Sequence, residues 1–166
     1  LARAVGQRLT EIIRQQVIVD NRGGAGGVIG ATMGAQANPD GYTITLASLG
    51  GMAHNPALKP DLPYQPVRDF APIVNIATSP FILIVAPQFP AKSIKELVSL
   101  AKAKPGAYNL GSAGVGSSLH MTGELFKYTA GVNLVHVPFK GTAPALTSLM
   151  SGQIEVAFYY DATTMP

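Results

Sequence analysis

The stretch "GSAGVGSSLHMTGELF", residues 111–126, joins a predicted strand to a predicted helix through a glycine-rich loop. The preceding "YNLGS" reads as a short strand, and apolar residues recur at helical spacing after Ser118. The first eight residues match the phosphate-binding pattern G-x-x-x-x-G-K-[ST], except that Ser117 stands in place of the lysine. The stretch therefore predicts an anion-binding loop that lacks its usual cation.

The chemistry of this loop favours a singly charged, planar anion over a polyphosphate. Its glycines allow successive backbone N–H groups to turn inward, and the hydroxyls of Ser117 and Ser118 add donors at the positive end of the helix dipole. A nucleotide would lack its main counter-charge, whereas a carboxylate would not need one. The alternative is that Ser118 only caps the helix. The residues alone leave both interpretations open.

Helical and strand-like patterns alternate along the rest of the chain, which predicts an α/β protein with mostly parallel sheets. A capping box of Ser93 and Glu96 opens one of the helices. The run "FILIVAP", residues 81–87, is apolar throughout and predicts a strand buried on both faces. The helical patterns cover residues 1–13, 28–37, 94–104, 118–130 and 144–150, and the strand patterns cover 16–20, 42–48, 70–78, 81–87, 108–112, 133–139 and 154–161.

The composition excludes several classes of protein. Apolar residues make up 47% of the 166 residues and charged residues 13%, which is typical of a folded globular chain. The net charge of +3 comes from scattered lysines and arginines, so no nucleic-acid-binding surface is predicted. The absence of cysteine excludes disulfides and thiolate metal sites. The longest apolar stretch, residues 81–86, is far shorter than the roughly 20 residues that span a bilayer.

Two further segments resemble known sites only in part. "VIVDNRGGAGGVIG", residues 17–30, approaches the dinucleotide motif G-x-G-x-x-G, but Ile29 occupies the third glycine position. The next predicted strand ends in Ser48 rather than in an acidic residue, so no nicotinamide site is predicted. Asp161 follows the last predicted strand, where ligands bind in α/β sheets. It either accepts a hydrogen bond from a ligand hydroxyl or amine, or begins a turn.

No arrangement of residues predicts catalysis or metal binding. Ser117 and Ser118 lie outside any G-x-S-x-G motif, and His120 on the same helix is poorly placed to act as their base. His54, His120 and His136 have no metal-ligand spacing, so we interpret them as packed or surface residues. No cofactor is predicted.

Six blocks of sequence, in order along essentially the whole chain, resemble the substrate receptors of tripartite tricarboxylate transporters, also called Bug receptors. The blocks are "NRGGAGGVIGA", "NPDGYT", "LPYQPVRDFAPI", "PAKSIKELVSLAKAKPG", "GSSLHMTGELF" and "VHVPFKGTAPALTSLMSGQIEVAF". The resemblance implies a periplasmic solute-binding protein, not an enzyme, with two α/β lobes and a ligand cleft between them. It also implies a small carboxylate as ligand and membrane permease subunits as partners.

Carried over by position, the resemblance assigns five residues to the ligand site. Gly114, Ser117 and Ser118 match the serine loop of the second lobe, Ser48 matches the strand-end loop of the first lobe, and Asp161 matches a strand end that faces the cleft. It also divides the chain into a partial first lobe, residues 1–83, and most of a second lobe, residues 84–166. The hinge would cross near residues 79–87.

The resemblance also implies segments that this chain does not contain. The family begins with a strand and a glycine-rich loop before the helix that here starts at Leu1, and its C-terminal part completes both lobes. We therefore expect these 166 residues to self-associate and to bind carboxylates weakly, or to be a stable core without activity. The alternative function is an α/β enzyme that binds a nucleotide or a phosphorylated substrate at the glycine-serine loop.

Overall fold

The computed structural model describes residues 1–160, with helices and helical turns up to residue 80 and alternating strands and helices from Phe81 onward. A 3₁₀ turn, Ala25–Gly27, and a π turn, Gly50–His54, each lead directly into a helix. The helices are α1 (Ala2–Ile13), α2 (Val28–Ala35), α3 (Asn55–Leu58), α4 (Pro66–Asp69), α5 (Ile94–Ala103), α6 (Ser118–Ala130) and α7 (Thr142–Met150), and the strands are β1 (Phe81–Val85), β2 (Asn109–Ser112), β3 (Val135–Pro138) and β4 (Val156–Tyr160).

The four strands form one mixed sheet in the order β1-β4-β2-β3. Strand β2 is parallel to both β3 and β4, with Gly111 opposite Val137 on one side and Ala157 on the other. Strand β1 is antiparallel to β4. The α/β class and the parallel pairs predicted from the alternation are confirmed, and β1 adds an antiparallel edge.

The prediction that residues 81–87 form a strand buried on both faces was wrong. Strand β1 lies at the edge of the sheet, and all five of its side chains are only half-buried. An unbroken apolar run indicates burial but does not say how many neighbours the strand has. Strand β4, which lies between β1 and β2, is the more deeply buried strand.

The core lies between this sheet and helices α5, α6 and α7. Leu97 of α5, Leu119 of α6 and Leu149 of α7 are each at most 2% exposed and pack with Leu110 of β2 and Val156 of β4. The predicted cap of α5 is confirmed, since Ser93 Oγ accepts a hydrogen bond from the backbone N–H of Glu96. Within residues 1–160, no helix combines the length and the apolar character needed to cross a membrane.

Three predicted strands in the first half of the chain are not paired. Among the described residues, no ladder joins residues 16–20, 42–48 or 70–78 to a neighbour, and Ile18, Ile44 and Ile73 are more than 60% exposed. Side-chain alternation reports which residues suit a sheet, whereas a strand forms only when another backbone supplies its hydrogen bonds. The lobe boundary at residues 83 and 84 and the hinge at 79–87 stay predictions.

Two stacked histidines join α6 to β3. The rings of His120 and His136 lie 4.0 Å apart between centroids, with 30° between their planes. Burial, with a smaller contribution from the neighbouring His120, lowers the pKa of His136 to about 4, against the opposing effect of Glu124. Burial also lowers the pKa of His120, against the opposing effect of Glu124. The positive charge of Lys127 also lowers the pKa of both histidines, so the folded protein favours their neutral forms.

The stacked pair predicts a loss of stability in mild acid. Between pH 6.5 and about 4, the unfolded chain binds a proton at position 136 that the folded chain does not, so the free energy of unfolding falls as pH falls. His136→Gln, which keeps a donor and an acceptor, should make this dependence shallower in urea denaturation at a series of pH values. Leu125→Ala, at an exposed position on α6, should leave the slope as in the wild type. Equal slopes for His136→Gln and the wild type would contradict the prediction.

Candidate functional site

Three loops that are distant in sequence meet with their backbones in contact. They are the glycine loop (residues 24–27), the 48–51 loop, and the serine loop (residues 112–118). A Cβ atom on Gly26 would lie 2.5 Å from the carbonyl oxygen of Val115, and one on Gly50 would lie 2.7 Å from the carbonyl oxygen of Gly26. Real Cβ atoms do not approach backbone atoms so closely, so these contacts require glycine. At Gly26 the positive φ of 65° adds a second requirement for glycine.

A buried asparagine lies where the three loops meet. Asn55, the first residue of α3, is 0% exposed. Its Nδ2 donates to the carbonyl oxygens of Gly26 at 3.2 Å, Gly50 at 3.0 Å and Gly116 at 3.1 Å. A single side chain therefore bonds all three loops. No motif singled out this residue in the sequence.

The serine loop ends in the cap of α6. Ser117 Oγ accepts a hydrogen bond from the backbone N–H of His120 at 3.2 Å, so the N-cap is Ser117 and the prediction of Ser118 as the cap was one residue late. Ser118 is the first residue of the helix, and both serines are more than 90% buried. The loop thus lies against the positive end of a thirteen-residue helix.

The histidine pair holds the serine loop through hydrogen bonds. His120 Nδ1 accepts a hydrogen bond from the backbone N–H of Gly116 at 3.2 Å, and His136 Nε2 bonds to Ser112 Oγ at 2.7 Å. Ser112 Oγ in turn accepts from the backbone N–H of Gly114 at 3.1 Å. An acceptor at Nδ1 requires the neutral tautomer of His120 with its proton on Nε2, which agrees with its lowered pKa. The two histidines are packed, as interpreted from the sequence, and they also hold the loop.

The 48–51 loop has its own support. Tyr64 is 2% exposed, and its hydroxyl donates to the carbonyl oxygen of Gly51. Burial raises the pKa of Tyr64, which keeps the hydroxyl protonated as a donor. Ser48 Oγ accepts from the backbone N–H of Gly51 at 3.3 Å and lies 3.1 Å from the place of a Cβ on Gly27. Ser48 therefore borders both first-half loops.

Four of the five predicted site residues lie in this cluster of loops. Gly114, Ser117 and Ser118 belong to the serine loop, and Ser48 belongs to the 48–51 loop. The glycine loop contacts both of these loops. The fifth, Asp161, lies outside the described residues. Asn55 was not predicted from the sequence, and neither were the loop-supporting roles of Ser112 and the two histidines. Only spatial proximity identifies these residues, since they come from separate segments.

The three loops carry no charged side chain, and their polar groups are backbone amides and serine hydroxyls. No lysine provides a counter-charge for a polyphosphate, and no carboxylate repels a small anion. Among residues 1–160, no group of three histidine, cysteine, aspartate or glutamate side chains is arranged to hold a metal ion. Within the described part of the chain, the arrangement suits an anion held by N–H and O–H donors at a helix N-terminus.

Comparison with solved structures finds proteins of the same fold. A Rhodopseudomonas palustris protein solved with adipate is 35% identical, with a TM-score of 0.92 over 96% of this chain and 53% of that one. MatC from Rhodopseudomonas palustris, solved with bound malate, is 33% identical, with a TM-score of 0.88 over 96% of this chain and 54% of that one. A further match, to a periplasmic transporter, is 46% identical with a TM-score of 0.93.

Comparison with protein sequences gives the family. A curated relative from Pseudomonas sp. (strain P51), the UPF0065 protein in the tcbD-tcbE intergenic region, is 39% identical over 94% of this chain and 46% of its own length. The chain thus spans about half the length of the relatives it matches. The sequence profile of the tripartite tricarboxylate transporter family receptor matches residues 1–165. The resemblance noted from the sequence is therefore confirmed, and the chain belongs to the tripartite tricarboxylate transporter receptor family.

Proposed function

We propose that the whole protein is a periplasmic receptor that captures a small carboxylate and delivers it to a membrane permease, without catalysing a reaction. The observation that carries this proposal is the meeting of three uncharged, donor-rich loops at the N-terminus of α6. Such a site can neutralise one carboxylate through hydrogen bonds and the helix dipole. Because the loops come from both halves of the chain, the ligand would contact both halves.

The relatives support a dicarboxylate as the ligand class. Two structures of the same fold, each more than 30% identical to this chain, were solved with adipate and with malate. Both ligands carry two carboxyl groups at the ends of a short chain. The comparisons give no support to the alternative of a nucleotide-binding enzyme. In the proposed mode, Gly114, Ser117, Ser118 and Ser48 surround one carboxylate, and Asp161 contacts the distal part of the ligand.

A ligand screen on the full-length protein tests this function. Malate and adipate should raise the melting temperature without Mg²⁺, and ATP and NAD should leave it unchanged. The carboxylates act by binding only the folded state, so the shift should grow with their concentration. Stabilisation by ATP or NAD, with no response to any carboxylate, would contradict the receptor proposal.

Removing the two serine hydroxyls should weaken carboxylate binding. In the full-length protein, Ser117→Ala with Ser118→Ala should raise Kd at least ~10-fold, since a hydrogen bond to a charged group contributes about 1.5–3 kcal/mol. Ser117→Ala also removes a helix cap, which costs about 1 kcal/mol of stability. Ser93→Ala removes the corresponding cap of α5 away from the three loops and is the matched control.

Calorimetry with malate and adipate separates the two effects. The double variant should lose both affinity and stability, and Ser93→Ala should lose stability alone. An unchanged Kd in the double variant would limit Ser117 and Ser118 to their structural roles.

Changing Asp161 should alter which carboxylates bind. If Asp161 accepts a hydrogen bond from a ligand hydroxyl or amine, Asp161→Asn should weaken hydroxylated ligands such as malate more than adipate, which has no such group. Calorimetry on a panel of dicarboxylates measures the rank order before and after the change. An identical rank order would remove Asp161 from the ligand site.

A further inference from the structure

Asn55 is placed where it can control the geometry of the whole loop cluster. Its three acceptors belong to three different loops, and the most distant of them, Gly116, lies 61 residues away along the chain. The Asn55 amide has two hydrogens and shares them among three carbonyl oxygens at 3.0 to 3.2 Å. Gly116 lies directly against the carboxamide, since a Cβ there would be 2.2 Å from Asn55 Oδ1.

The three hydrogen bonds from Asn55 also orient the N–H groups of the same peptide units, and these N–H groups close turns in their own loops. The C=O and N–H of one peptide unit point in opposite directions, so a carbonyl that is held toward Asn55 directs the next N–H away from it. Each of those N–H groups closes a turn inside its own loop. The pairs are Gly27 N–H to Gly24 O at 3.0 Å, Gly51 N–H to Ser48 Oγ at 3.3 Å, and Ser117 N–H to Gly114 O at 3.1 Å.

We propose that Asn55 is a positioning residue that assembles both halves of the carboxylate site before the ligand arrives. The proposal rests on the receptor function proposed above. By drawing three carbonyl oxygens to one buried donor, Asn55 directs these negative groups away from the anion. It also holds the glycine loop and the 48–51 loop in a fixed position relative to the serine loop.

Preorganisation predicts a specific kinetic effect. When the binding-competent arrangement is only partly populated, the apparent affinity falls by the competent fraction. The loss therefore appears in the association rate constant, whereas loss of a direct ligand contact raises the dissociation rate constant. A residue with a merely structural role would lower the melting temperature and the active fraction, and would leave both rate constants of the folded molecules unchanged.

Two variants disturb the meeting of the loops in different ways. Asn55→Ala removes the shared donor and leaves three carbonyls without it. Gly50→Ala keeps Asn55 and all its acceptors but places a Cβ 2.7 Å from the carbonyl oxygen of Gly26, which forces the loops apart. Gly50 has no positive φ, so Gly50→Ala adds no backbone strain. If Asn55→Ala fails to fold, Gly50→Ala still tests whether the arrangement of the loops controls association. The matched controls are Asn133→Ala at an exposed position and Gly23→Ala, whose Cβ would meet nothing within 4 Å.

The experiment measures both rate constants by surface plasmon resonance on the full-length protein, with malate and adipate as probes. Asn55→Ala and Gly50→Ala should lower the association rate constant at least ~10-fold, by the same factor for both probes, with little change in dissociation. Hydrogen exchange of the ligand-free variants should be faster in all three loops together. Both controls should behave as the wild type.

Each other outcome overturns a defined part of the proposal. Unchanged association, or a loss confined to dissociation, would overturn the positioning role while leaving the receptor function intact. Unchanged exchange in the three loops would show that Asn55 does not hold them together. A wild-type protein that binds no carboxylate would overturn the proposed function, and with it the role of Asn55 in carboxylate binding.

Discussion

The close approach of three glycine-containing backbones is the constraint on which the candidate site depends. Gly26 and Gly50 lie directly against backbone atoms of neighbouring loops, Gly116 lies against the carboxamide of Asn55, and a Cβ at any of the three would overlap a neighbour. This proximity lets one short side chain, that of Asn55, reach all three loops. The glycines thus have a steric role between segments that is distinct from their conformational role within each turn.

The candidate site contains no charged side chain in any of its three loops. A lysine in the serine loop would attract polyphosphates, and acidic residues would repel any anion. Amide and hydroxyl donors at the N-terminus of α6 suit a single negative charge, because each donor contributes modestly and the geometry of the set determines the fit. The neutral His120 and His136 fit this scheme, since they support the loop without adding charge to it.

The sheet positions this site by a simple rule of parallel α/β structure. The serine loop follows β2 at its carboxyl end, which faces the same edge of the sheet as the carboxyl ends of the parallel strands β3 and β4. The π turn and α3 bring Asn55 to the loop that follows β2. The short helix α3, which is not part of the sheet, therefore brings the first-half loops against the serine loop.

Local sequence patterns correctly predicted the α/β class, the strand–loop–helix unit around residues 111–126 and the cap of α5, and they suggested that the serine loop binds an anion. These properties depend on local periodicity and on residue types within a few positions of one another, so they can be read along the chain. The three-dimensional structure was needed to show that β1 is an edge strand, that residues 16–20 and 42–48 lack a ladder among the described residues, and that Ser117 rather than Ser118 caps α6. It also placed Asn55 against Gly116 and stacked His120 on His136. Those contacts join residues that are 16 to 61 positions apart, and no local pattern encodes which distant backbone will supply a partner.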